Sequence, residues 1–165
     1  MLTTAQLTTL EAAILAETNA GFVEARTAGN NSQMLAWFNS AATPEFIVWR
    51  KQVSREEVEE DDAFNWTVVD NLSTGSKYRI WEWMFGSKGY INPSKANIRA
   101  GIAATWVGNA QLLAVQAMVL AKSKRAATKA EKLFATGTGS TASPAVMDVE
   151  GQISIDDIRA AVALG

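Results

Sequence analysis

NAQLLAVQAMVLAKSKRAATKAEKLFA, residues 109–135, is the stretch on which the fold turns. Leu112, Val115, Val119, Ala126, Ala130 and Leu133 recur along it at spacings of three, four or seven, the period of one buried helical face. The pattern predicts a single helix over 109–135. At about 1.5 Å per residue that helix is roughly 40 Å long. A chain of this size has a radius of gyration of roughly 15 Å, so such a helix spans the domain or projects from it. Its second half, AKSKRAATKAEK, is Ala-rich and basic. Small residues permit close helix contact, and Lys122, Lys124, Arg125, Lys129 and Lys132 are either solvated or turned toward a partner.

Downstream lies TGTGSTASPAVMDVEGQISIDD, residues 136–157. Its Gly, Thr, Ser and Pro oppose helix. TGTGST has the glycines of a phosphate loop but no Gly-Lys followed by Ser or Thr, and it follows a helix instead of a strand. A calcium loop is the closer match. With Gly151 at the sixth position, Asp148, Glu150, Ser154 and Asp157 fall at the third, fifth, ninth and twelfth. Val146 then occupies the first position and cannot ligate, and Asp157 is shorter than the usual Glu. The remaining description is an extended arm over 136–150, reaching about 50 Å at ~3.3 Å per residue. Ser154 then caps a short terminal helix carrying Ile155, Ile158, Ala161, Val162 and Leu164. Deleting 137–165 is accordingly expected to harm assembly more than folding.

Upstream, Thr3-Thr4-Ala5-Gln6 matches a capping box and opens a helix over roughly 4–17. Residues 19–31, broken by Gly21 and Gly29, suggest a loop. Asn31 or Ser32 can cap a short helix with Met34, Leu35, Trp37 and Phe38. Thr43-Pro44-Glu45 looks like a helix start, so FIVW, which fits helix or strand, is read as helix. Ser54-Arg55-Glu56-Glu57 is a second capping box. It opens REEVEEDD, in which six of eight residues are acidic, including Glu56, Glu57, Glu59 and Glu60. Acids suit a helix N-terminus, so the run is a solvated helix start or a partner-matching patch. FNWTVVDNL is irregular or a short strand. A helix is expected over 73–85 with Tyr78, Trp81 and Phe85 on one face and Trp83 on another, and a further one from Ser94 through Ile98, Ile102 and Trp106.

At 165 residues, 48% hydrophobic and 19% charged, the chain has a globular composition with room for a core. A net charge of −2 gives no general attraction to nucleic acid or anionic membranes. No apolar run approaches the ~20 residues of a membrane span, and the N-terminus lacks the basic region of a signal peptide. There is no Cys and no His. That removes thiolate nucleophiles, Cys-ligated zinc and the commonest general base at neutral pH. Carboxylate-only chemistry, as in hard metal sites or glycosidase-type acid pairs, remains possible, but no paired-carboxylate site is identifiable. The expectation is a mainly α, non-enzymatic protein without cofactor or metal: a helical core over 1–135 with one long helix, and an extended C-terminal arm over 136–165 ending in a short helix.

Two stretches, INPSKANIRAGIAATWVG (91–108) and KRAATKAEKLFATGTGSTASPAVMDVEGQIS (124–154), together with VWRKQVS (48–54) and WTVVDNL (66–72), resemble small structural proteins of tailed phages and prophages. Size, helical core and C-terminal arm are similar to head–tail connector (adaptor or head-completion) proteins. The resemblance implies a homo-oligomeric ring, often a dodecamer, below the phage portal protein. It also implies contact with tail proteins and a lumen through which genomic DNA passes without sequence-specific binding. The location would be the virion neck, and the host cytoplasm before assembly. Head-to-tail rings need two different, complementary faces. The acidic run, the basic run and the terminal Ile155, Ile158 and Leu164 are the candidates. The alternatives are a tail-completion, decoration or scaffolding protein, or a small helical DNA-binding regulator using Lys122 to Lys132.

Overall fold

A computed structural model describes residues 1–65, 67, 81, 82 and 84–165. The expectations for most of FNWTVVDNL, for most of the helix over 73–85 and for the placement of Tyr78 and Trp83 lie outside the described residues. In chain order the helices are α1 (Thr4–Ala16), α2 (Ala20–Thr27), α3 (Asn31–Asn39), α4 (Arg55–Glu59), α5 (Ala96–Thr105), α6 (Ala110–Lys122), α7 (Lys129–Leu133) and α8 (Ile155–Val162). The strands are short: β1 (Ile47–Trp49), β2 (Val53–Ser54), β3 (Tyr90–Ile91), β4 (Lys124–Ala126), β5 (Ala135–Thr136) and β6 (Val146–Met147). The protein is mainly α. The chain divides into two compact units, one of Met1–Val48 with Ala126–Gly165 and the other of Trp49–Arg125.

The first unit packs α1, α2, α3, α7 and α8 around Leu10, Ile14, Phe22, Met34, Phe38 and Ile158, none more than 5% exposed. Thr3 and Gln6 form the expected capping box on α1. At its other end the Arg26 guanidinium donates to the carbonyls of Ile14 and Leu15 at 2.6 and 2.8 Å, satisfying acceptors that a helix terminus leaves open. Leu2 lies against Asp157 and Gly165 against Glu11, so α1 and α8 run parallel. A smaller cluster of Val48, Ala127, Ala145 and Met147 sits under the β5–β6 pair, whose antiparallel register sets Ala135 opposite Met147. There a Cβ on Gly139 would fall 2.1 Å from the Phe46 ring. Close approach to an aromatic face, with φ +67°, accounts for that glycine.

The second unit pairs β2 with β3 and packs α4, α5 and α6 around an aromatic centre. Trp81 meets Trp106 edge-on at 5.1 Å and Phe85 at 4.7 Å, and Phe64 meets Trp106 at 6.0 Å. Such tilted pairs are favoured by the ring quadrupole.

Four expectations are corrected. The helix begun at Asn109 stops at Lys122. Ser123 is fully buried, with its hydroxyl on the Val119 carbonyl at 2.7 Å. Thr128 and Glu131 then form a capping box that starts a separate helix, α7. Between them, Ala127 exchanges backbone bonds with Phe46 and Ala42, so tertiary pairing overrides local helix propensity. Second, residues 136–165 are no arm. Ala145 bridges Val48, Asn39 exchanges two 3.0 Å bonds with Ile153, and α8 lies in the first unit's core. The division at residue 135 gives way to one in which both chain ends share a unit. Third, FIVW contains strand β1, following a cis Thr43–Pro44 bond. Fourth, 20–27 is helix rather than loop, because Asn19 caps it and Phe22 and Ala25 are buried.

Candidate functional site

In the second unit, Ser54 caps α4 through the Glu57 N–H at 3.0 Å. The Glu57 side chain does not return the bond. Both its oxygens instead face the Arg50 guanidinium, Arg50 Nη2 donating to Oε2 at 3.0 Å. Arg50 also donates to the Lys122 carbonyl at 3.0 Å, a cation at the C-terminal end of α6. The hydrogen bond from Arg50 holds the Glu57 carboxyl below its usual range, against the opposing effect of burial. Arg55 donates to Glu59 at 2.6 Å and to Glu82 at 3.0 Å. Burial opposes its charge, but these bonds outweigh burial and raise its pKa. Lys122 pairs with Asp61 at 2.8 Å, and that bond lowers the Asp61 pKa.

Glu57, Glu59 and Lys122 are therefore engaged within their own unit. Glu56, Glu60 and Asp62 stay exposed. Two shallow grooves, of about 520 and 400 Å³, flank this edge, and Glu60 lines both.

The five cations of 122–132 do not form one continuous helical stripe. Lys122, Lys124 and Arg125 belong to the second unit, and Lys129 and Lys132 to the first. Lys124 lies over the Trp49 ring at 5.2 Å, and Arg99 lies over the same ring at 4.8 Å. Arg125 is half-buried.

Lys129 and Lys132 border an open groove of about 670 Å³ in the first unit, together with Trp37, Glu17, Asn19 and Thr43. Lys129 Nζ sits 4.1 Å from the Trp37 ring centroid and donates to Ser40 Oγ at 2.6 Å and the Ala41 carbonyl at 3.2 Å. Lys132 Nζ lies 5.6 Å from the Phe46 ring. Among the described residues neither lysine has a carboxylate partner. Glu17 turns one oxygen inward to the Thr18 and Asn19 N–H groups at 2.9 Å. Phe22 supports Trp37 from behind at 5.8 Å. The result is a pre-positioned pair of cations on aromatic faces. Trp37 shares its helix with apolar Met34, Leu35 and Phe38, a pattern that fits core packing, and its inner side does pack on that core. Its position three before Ser40, with Lys129 remote in sequence, carried no local signal of a groove.

Of the three terminal apolar candidates, Ile158 is fully buried in its own unit and cannot meet a partner in this fold. Ile155 is half-buried, and Leu164 is 50% exposed, at the same end of the α1–α8 pair as exposed Leu15 and Val162.

The calcium and phosphate motifs are accounted for by packing. Asp157 caps α8, Asp148 accepts from Gln6 at 2.6 Å, and the Gly151 N–H donates to Glu131 at 2.7 Å. Among the described residues no three carboxylates are grouped to hold a metal ion, and no helix is long and apolar enough to cross a membrane. No protein-family model, no curated protein and no solved structure matches the chain.

Proposed function

We propose that the protein is a non-enzymatic structural component of a tailed-phage particle: a head–tail connector whose copies form a ring under the portal and continue the DNA channel. The observation that carries this is the presence of two accessible surfaces of unlike charge, each on its own compact unit: half-buried Lys129 and Lys132 beside an open groove that Glu17 also lines, and exposed Glu56 and Glu60. One is the lysine-bordered groove of the first unit, and the other is the Glu56–Glu60 edge of the second. Head-to-tail association needs two unlike, complementary surfaces on each subunit, and closure of the rotation makes a ring. The likeness of residues 48–54, 66–72, 91–108 and 124–154 to phage structural proteins supports the same assignment. The DNA passing through the lumen would be met as a polyanion, without base contacts.

Electron microscopy of the purified chain with and without portal rings tests the proposal. Rings, alone or seated on the portal, are the expected result. A chain that stays monomeric and binds no portal would overturn it.

A further inference from the structure

The proposed self-association leaves open which surfaces meet. Glu56 lies on α4 and Glu60 is its C-terminal cap, four residues on and bonded through its N–H to the Glu56 carbonyl at 2.9 Å, so the two share one face with Cβ atoms about 6 Å apart. Like charges at that spacing repel. Arg55, the nearest cation on α4, is already committed to Glu59 and Glu82. On the first unit, Lys129 and Lys132 are three apart on α7, again on one face at about the same spacing. Lys129 is fixed in place by Ser40, Ala41 and the Trp37 ring, so little side-chain freedom remains to be lost on binding. Each pair thus presents two like charges on one face, with no opposite ion-pair partner in its own chain among the described residues.

We propose that the Glu56–Glu60 edge of one copy docks into the Trp37–Lys129–Lys132 groove of the next, and that this contact is the repeating joint of the assembly. The two glutamates meet the two lysines, and Asp62 extends the acidic edge beyond them. The groove's volume of about 670 Å³ is enough to admit carboxylate side chains from a helix edge. Because one surface lies on the first unit and the other on the second, each copy can act as donor and acceptor at once. That is the condition for head-to-tail association, which makes a ring where the rotation closes.

Charge reversal with cross-complementation tests this. The full-length protein, Glu56→Lys with Glu60→Lys, and Lys132→Glu are compared by analytical ultracentrifugation, with circular dichroism as the control for folding. The unaltered chain should sediment as a discrete oligomer that dissociates at about 1 M salt, where the screening length falls to about 3 Å. Each variant alone should lose the oligomer. An equimolar mixture should form a one-to-one complex, since the unaltered edge of the Lys132→Glu protein fits the unaltered groove of the other variant. Glu56 and Glu60 are exposed, so the first variant should fold even if Lys132→Glu does not, and its loss or retention of the oligomer decides the matter by itself. An oligomer unaffected by either reversal would overturn this joint while leaving the connector assignment standing. A chain monomeric at all concentrations would also overturn the joint, and binding to portal rings would then decide the assignment separately.

Discussion

The Asp157 carboxylate accepts a 2.7 Å hydrogen bond from the backbone N–H of Leu2, 155 positions away. Its other oxygen receives the Ser154 N–H and hydroxyl at 2.8 and 2.7 Å. One side chain therefore caps α8 and ties it to the start of α1. The pattern repeats in this unit. Gln6 caps α1 and reaches Asp148, and Glu131 caps α7 and takes the Gly151 N–H. Burial disfavours the Asp157 charge, but the bonds from Leu2 and Ser154 prevail and hold its pKa below the ordinary value of 3.8. Asp157→Ala should lower stability by about 3 kcal/mol, as expected for losing charged hydrogen bonds at a nearly buried site. Urea denaturation measures it. Because the folded-state pKa is depressed, this stabilisation is present above 3.8 and is lost as pH falls through the folded value. The gap between native protein and Asp157→Ala should therefore narrow in strong acid and stay constant near neutrality.

Removal of 137–165 should prevent the first unit from folding rather than free a soluble core. Ile158 and Ala161 are fully buried against Leu10 and Ile14, so truncation would bare that face. The point variant Ile158→Ala should cost about 2–5 kcal/mol, read as a lower midpoint in denaturant. A truncated chain with an intact helical spectrum and cooperative melting would contradict this packing.

The Arg50–Glu57 pair should matter modestly. Both side chains are roughly a third exposed, where ion pairs contribute about 1 kcal/mol or less. Arg50 also holds the last carbonyl of α6, so Arg50→Met should cost more than Glu57→Gln. The Glu57 pKa is lowered, with the hydrogen bond from Arg50 as the main cause. Its contribution is thus present above the ordinary carboxyl range and fades as pH drops below it. Thermal melts of both variants between about pH 3 and pH 7 would show the difference from native protein shrinking at the acid end.

Millimolar calcium should leave the melting temperature unchanged, since a ligand stabilises a fold only by binding it. Asp148 and Asp157 already serve Gln6, Leu2 and Ser154. A concentration-dependent rise in melting temperature would show that these carboxylates can be recruited to an ion.

The helix starts were readable where a polar side chain bonds its own helix. Thr3 with Gln6, and Ser154 with the first-turn acids, announce α1 and α8 in four residues each. The break after Lys122 had a signal of the same kind, Thr128 followed by Glu131. The uninterrupted apolar period across 109–135 masked it. Exposed Ala126 and buried Ala130 satisfy a helical repeat as well as they satisfy a strand end and a new helix, because alanine has no side-chain entropy to lose in either geometry. The docking of 136–165 was hidden for a different reason. Its contacts reach Leu2, Gln6, Asn39 and Val48, more than 90 residues back in every case, and no local pattern encodes them. The acidic run could be seen, but which of its members are spent on Arg50, Arg55 and Lys122 depends on the fold.

Electron microscopy of the purified protein mixed with portal rings addresses the central claim most directly. Rings of this chain stacked coaxially on the portal, with a central opening continuous with the portal channel, are expected. Portal rings left bare beside a monomeric chain would contradict it.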